Sequence, residues 1–201
     1  MDKYSVTDLS EMLAAIGEDD TQSILSDFLC PKNHDIENFL RKSAIDFHKK
    51  SIAKTHLVFA SHEGIPVLVG YFTLTSKILQ IPSDSVHGKA KKCISRFSQL
   101  DETNGSYQIP APLIAQLGKN YADGYNKLIT GKDLLEIALD AVKTVQRILG
   151  GKITYIERDD EEHLKKFYED NGFAEFATRP TINNSNNGSS KYLVQMLKVI
   201  E

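Results

Sequence analysis

The residues whose types and spacing could do chemistry cluster between positions 116 and 173. The segment Asn126-Lys127-Leu128-Ile129-Thr130-Gly131-Lys132 leads into a strongly periodic apolar run. Backbone N–H groups at the start of a helix, with the helix dipole behind them, can hold an anion. Lys127, Thr130 and Lys132 add side-chain donors there. Gly131 either lets the backbone approach such a ligand or simply gives a tight helix entry. Tyr168 lies four residues after Leu164 on an apolar stripe. It reads either as a proton donor or as a core tyrosine whose hydroxyl is hydrogen-bonded at the edge. Asp101, Glu102 and Glu157 are acids near strand-like runs and are candidates to accept a proton. Six histidines (His34, His48, His56, His62, His87 and His163) show no ligand spacing, so no metal is assigned. Cys30 and Cys93 are too few for a zinc site or a disulfide framework, and Cys93 reads as a small buried hydrophobe.

Regular elements must position these groups. Asp35 to Ile52 reads as a helix with Asn33 or Asp35 as its cap, and Ile36, Phe39, Leu40, Ala44 and Phe47 on one face. Thr55–Ala60 and Ile65–Leu74 are β-rich runs around a Gly64 turn, which predicts a hairpin reaching towards Leu79. A polar stretch from Pro82 to Asn104 holds a candidate helix at Ala90–Leu100. Tyr107–Leu117 reads as a strand, although Pro110 and Pro112 favour an edge, a start or a bulge. The strongest helix is Lys132–Leu149, with Leu134, Leu135, Ala138, Val142, Val145 and Leu149 recurring on one side and Gly150-Gly151 as its stop. A strand at Lys152–Glu157 follows, then a helix capped by Asp159 or Asp160 and stopped at Gly172. Strands at Phe173–Ala177 and Tyr192–Val199 flank the polar loop Ile182–Ser190. This order predicts an α/β fold: a central mixed, mostly antiparallel twisted sheet with helices on both faces.

The chain has 201 residues, a formal charge of -3, 41% hydrophobic and 25% charged residues. These values suit one domain over residues 1–201, with residues 1–34 as an N-terminal helical extension. Acids at the amino end and the absence of a long apolar window exclude a signal peptide and a membrane span, and point to the cytoplasm. Near-neutral charge argues against a nucleic-acid partner, without excluding a local basic patch.

The run from Ile109 to Phe173, ending Phe-Tyr-Glu-Asp-Asn-Gly-Phe, resembles the acetyl-coenzyme A binding core of the GNAT family of N-acetyltransferases. In element order the resemblance extends over residues 35–200, and Val67–Leu74 is similar to the family's second and third strands. The family's pyrophosphate loop is Gln/Arg-x-x-Gly-x-Gly/Ala. Laid on Leu134-Leu135 it falls on Asn126 to Gly131, with Gly131 kept, Ile129 in place of the middle glycine and Asn126 in place of the leading residue. The resemblance implies that Asn126, Lys127, Thr130, Gly131 and Lys132 hold the diphosphate, and that Ile129 restricts its approach. It implies that the strand end at Gln116, Leu117, Gly118 and Lys119 pairs with the pantetheine arm. It also places Tyr168 on the tyrosine that many members use as general acid towards the leaving thiolate. A phenol near pKa 10 is neutral when a thiolate forms near neutrality. Glu161 stands where the family often has asparagine.

The implied activity is transfer of an acetyl group from acetyl-coenzyme A, as co-substrate and without a metal, to a primary amine on a small molecule, peptide or protein. A homodimer is compatible with it. Asp35–Lys50 followed by Thr55–Ala60 and Val69–Leu74 is also similar to the amino-terminal part of GNAT toxins that acetylate aminoacyl-tRNA. Those toxins carry an intact glycine-rich loop and a basic face. A third alternative is a non-catalytic GNAT-like interaction module. The acceptor pocket is expected from the helix at 35–52, the polar segment 82–106 and the loop 182–190.

Overall fold

In this computed structural model residues 3–180 and 192–200 are described. The elements, in chain order, are β1 (Tyr4–Asp8), α1 (Leu9–Ser26), α2 (His34–Asn38), a π-helical turn (Phe39–Ser43), α3 (Ala44–Lys49), β2 (Lys54–His62), β3 (Ile65–Pro82), α4 (Gly88–Phe97), β4 (Leu100–Asp101), β5 (Ser106–Lys119), a 3-10 segment (Ala122–Lys127), α5 (Gly131–Leu149), β6 (Ile153–Arg158), α6 (Glu162–Asp170), β7 (Ala174–Pro180) and β8 (Tyr192–Val199). The hydrogen-bonded strand order is β1-β2-β3-β5-β6-β8-β7, with β4 on β5. The fold is therefore mixed α/β. The pairs β1/β2, β2/β3, β4/β5, β6/β8 and β7/β8 are all antiparallel.

Two compact units divide the chain: Met1–Thr75 with Ile114–Ala141, and Ser76–Leu113 with Val142–Glu201. β3, β5 and α5 each contribute to both. The loop Ile182–Ser190 lies outside the described residues.

The first unit opens with a strand ahead of α1, so the helix expected within residues 1–34 is joined by β1. Tyr4 pairs with Ala60 and Asp8 with His56. Asp8 then caps α1, accepting from Ser10 N at 2.7 Å, while Glu11 reaches back to Asp8 N in a capping box. Gly17, at φ 82° and ψ 176°, breaks α1 into two pieces. The β2/β3 hairpin closes through Glu63 and Gly64, both at positive φ, as a two-residue turn with His62 opposite Ile65. The helix expected at 35–52 forms in three segments with Asn33 as its cap, its side chain accepting from Asp35 and Ile36 N–H. Leu9, Leu25, Phe28, Leu40, Ala44, Leu57 and Tyr71 make the core of this unit.

The second unit contains α4, which realises the helix expected at 90–100, and the strands β6, β8 and β7. β5 runs uninterrupted through Pro110 and Pro112. Residues two apart direct their backbone groups to the same strand edge, so both missing donors fall on one side. There the Thr154 hydroxyl donates to Pro112 O at 2.9 Å, satisfying that carbonyl. α6 starts from Glu161 with no side-chain cap, not from Asp159 or Asp160.

Candidate active site

The helix entry singled out in the sequence is built in the first unit. α5 begins at Gly131, and Thr130 and Asp133 cap it reciprocally. Asp133 N donates to Thr130 Oγ1 at 3.0 Å, and Thr130 N donates to Asp133 Oδ2 at 3.2 Å. Leu134 N pairs with Thr130 O. Among the described residues, the N–H groups of Gly131 and Lys132 are left without an acceptor, and these are the two donors available to an anion. Hydrogen bonds from Thr130, then that of Tyr4 and the charge of Lys3, hold the Asp133 carboxyl below the usual carboxylate range. An anion at this entry therefore shares it with a carboxylate.

Ile129 points into the core. The residue is only 2% exposed, so its side chain is part of the core. Lys127 and Lys132 are exposed, Lys132 reaching Glu136 at 3.8 Å. Lys119 is turned inward instead. Its ammonium donates to Asn126 O at 2.9 Å and Ile129 O at 3.0 Å, which pins the loop from behind. Burial, and then the charge of Lys32, pull the Lys119 pKa down. Lys119 is thus a loop support and not an outward donor. Asn126 contributes its carbonyl to the same staple. The entry thus presents two N–H groups with the exposed Lys127 and Lys132 beside them.

The strand end at Leu117-Gly118-Lys119 is fixed by contacts that allow no side chain at 118. A Cβ there would collide with Ile36 Cγ2 and come within 3.3 Å of Tyr71. Asn120, buried, closes the strand: its amide donates to Leu68 O at 2.9 Å and its carbonyl accepts from Leu29 N and Ala122 N.

Two residues at the loop carried no sequence signal. Tyr4, from β1, donates to Leu128 O at 3.2 Å and to Asp133 Oδ2 at 3.1 Å. Lys3 lies 3.9 Å from the same carboxylate and offsets its charge. Their separation of 124 and more residues from the loop hides them from any local motif.

Tyr168 sits in the second unit. α6 ends in a Schellman turn: Phe173 N donates to Tyr168 O at 3.0 Å and Gly172 N to Glu169 O at 2.9 Å, with Gly172 at φ 81°. The apolar contact that accompanies such turns is Tyr168 against Phe173, with ring centroids 5.5 Å apart, and Phe167 stacks edge-on at 5.0 Å. Lys198 braces the turn from β8 by donating to Asn171 O. Burial pushes the Tyr168 phenol up to about 12, and the charge of Arg158 opposes this. Among the described residues the hydroxyl has no hydrogen-bond partner. Arg158 itself is buried, donating to Met196 Sδ, Asp159 O and Glu175 Oε1.

The three candidate acids differ in their surroundings. Asp101 Oδ1 accepts from Thr103 and Asn104 N–H and Oδ2 from the Asn104 amide, a turn that keeps its pKa low. Glu102 is exposed. Glu157 receives Arg179 at 3.0 and 2.7 Å on its two oxygens and Gln195 at 2.8 Å. Burial raises its pKa, but Arg179 and Gln195 outweigh this and leave it below the usual range. Glu157 lines a cavity of about 470 Å³ in the second unit, with Lys77, Gln80, Ser106, Tyr155 and Arg179. Pro82, Asn104 and Ser106 bring the polar segment 82–106 to this cavity. Both cysteines are free, Cys30 buried and Cys93 half-buried. Among the described residues no group of three or more His, Cys, Asp or Glu could hold a metal ion, and no helix is long and apolar enough to cross a membrane.

No family model and no curated protein matches the chain. Solved structures match it over nearly its whole length. A tyrosine-to-phenylalanine mutant of KacT is 14% identical with a TM-score of 0.64, covering 96% of this chain and 94% of that chain. AtaT complexed with acetyl-methionyl-tRNAfMet is 17% identical with a TM-score of 0.61, over 95% and 93%. A tyrosine-to-phenylalanine mutant of the AtaT toxin, bound to the C-terminus of the antitoxin AtaR and acetyl-CoA, is 16% identical with a TM-score of 0.57, over 98% and 94%. At these identities the likeness establishes the fold, that of the GNAT N-acetyltransferases. The expectation against nucleic acid, drawn from net charge, is at odds with this fold's record, since one of these structures holds a tRNA.

Proposed function

We propose that the chain is an acetyl-coenzyme A-dependent N-acetyltransferase whose acceptor is the amino group of an aminoacyl-tRNA. The observation that carries this reading is likeness over 95% of the chain, front segment included, to a protein holding acetyl-methionyl-tRNAfMet. The loop geometry supports it. In this reading Gly131 and Lys132 N–H, helped by Lys127, Lys132 and the α5 dipole, hold the diphosphate. The Thr130 hydroxyl and the Asn126 and Lys119 side of the loop keep those donors in place. The Leu117–Lys119 strand end offers backbone groups to the pantetheine arm.

The coenzyme supplies an activated thioester. The acceptor amine forms the new N–C bond as the C–S bond breaks, and Tyr168 gives its proton to the departing sulfur. Its hydroxyl is free to donate, and its raised pKa keeps the proton in place until a thiolate demands it. The proton lost by the amine passes to solvent, because Asp101 and Glu157 are already engaged by donors.

Purified protein with acetyl-coenzyme A in a thermal melt tests the binding step. Ligand at 100 times its dissociation constant stabilises by about 2.7 kcal/mol. Acetylation of aminoacyl-tRNA, followed with labelled acetyl groups, tests the acceptor. No thermal shift at millimolar coenzyme overturns the enzyme reading. It would favour the non-catalytic module, for which the Asp133 carboxylate at the anion seat is the specific supporting observation.

A further inference from the structure

The charge of the chain is unevenly placed. Residues 76–99 carry Lys77, Lys89, Lys91, Lys92 and Arg96 against Asp84 alone, a net of +4 in a chain of net -3. Four of these five cations lie on the ten residues of α4, which has no acid. Ala90, Cys93 and Ile94 face inward, with Ile94 fully buried, while Lys89, Lys91, Lys92 and Arg96 are exposed. Lys91 donates to a carbonyl, Ser83 O, at 3.2 Å, and among the described residues no carboxylate pairs with Lys91, Lys92 or Arg96.

This arrangement disfavours the helix that carries it. Lysines crowd its first turns, where the helix dipole favours acids. Lys92 and Arg96 are like charges at i and i+4, which repel on a helix surface. Its cap position, His87, makes no side-chain cap hydrogen bond. A local rule broken three times on one short helix marks a surface kept for a partner.

We propose that the exposed face of α4, carrying Lys91, Lys92 and Arg96, is the docking surface for the phosphate backbone of the acceptor RNA. The identity of the RNA rests on the acetyltransferase reading above; the polyanion chemistry rests on α4 alone. Lys92 and Arg96 rise about 6 Å along the helix axis, a span on the scale of neighbouring phosphates of one nucleic-acid strand. Exposed Phe97, at the end of the helix, adds a ring on which an unpaired base can stack. An anionic membrane is the poorer fit, because interfacial helices insert an apolar face and α4 already buries its own.

The test is binding of deacylated tRNA, without coenzyme, by fluorescence anisotropy over a salt series. Lys91→Gln/Lys92→Gln/Arg96→Gln should weaken binding at least tenfold at low salt. It should also make the slope of log K against log salt shallower by about 2 to 3, one unit for each phosphate contact. Lys49→Gln/Lys50→Gln, at ammonium groups paired with Glu18 and Asp46, should change neither. Circular dichroism melts confirm that both variants fold. An unchanged affinity and slope in the triple variant overturns the proposal. So does wild-type protein that fails to bind tRNA, or a triple variant that loses binding to phosphatidylserine vesicles while keeping tRNA. Wild-type protein that binds tRNA through α4 yet transfers no acetyl group upholds this surface and removes the acceptor assignment instead.

Discussion

Tyr168 is held by the turn that ends its own helix, with Phe173 on one side and Phe167 on the other. Phenylalanine keeps those ring contacts and removes only the hydroxyl. Tyr168→Phe should therefore lower kcat by about 10²–10⁴-fold, the range of a lost general acid. Coenzyme affinity by thermal shift should stay within a factor of two, since no diphosphate donor changes. With the phenol pushed up to about 12, its acid form persists throughout the working range. The wild-type rate should then show no descending limb below about pH 10 from this group. A rate equal to wild type in the phenylalanine variant would take Tyr168 out of the mechanism. The Phe-Tyr-x-x-x-Gly-Phe pattern made this residue visible because cap, stop and stripe are all local. Ile129 was legible as a departure, but its orientation was not: whether a side chain faces core or ligand depends on what packs behind it.

Among the elements, the hairpin, α5 and α6 followed from periodicity and from Gly punctuation, which act over a few residues. β1 did not. Tyr-Ser-Val-Thr-Asp lacks a buried alternating face, and Val6 remains 45% exposed, so pairing with β2 is what makes it a strand. β5 looked doubtful because of Pro110 and Pro112; it survives since both missing donors share an edge and Thr154 satisfies Pro112 O there. The strand end at Gly118 depends on α2 coming close. Gly118→Ala should cost about 1–3 kcal/mol by overpacking against Ile36. In an Ile36→Ala background the same change should cost little, a coupling of about 1–2 kcal/mol in a denaturant double-mutant cycle. Equal costs in both backgrounds would show that the glycine answers to something other than Ile36.

At the scale of the whole molecule, composition gave a net charge of -3 and hid a +4 segment within it. An average cannot report where charges gather, which is why the sequence reading leaned away from RNA. The front of the chain, read as an added helix, instead sends Tyr4 to the loop at the α5 entry. Tyr4→Phe should lower stability by about 1 kcal/mol, the net worth of such a hydrogen bond. It should also speed amide hydrogen exchange at Thr130, whose partner Asp133 loses its second support. Unchanged exchange would mean that the cap stands without β1.

Tyr4 leaves the ribosome ahead of Leu128 and Asp133, which emerge 124 and 129 residues later. At about 5–20 residues per second, that separates their appearance by at least several seconds. The loop at the α5 entry is thus locked by a strand made 124 residues before it. If the chain is a toxin, a truncated translation product would carry the strand without the loop, and a ribosome would be well advanced before any acetylating activity could turn on its own substrates.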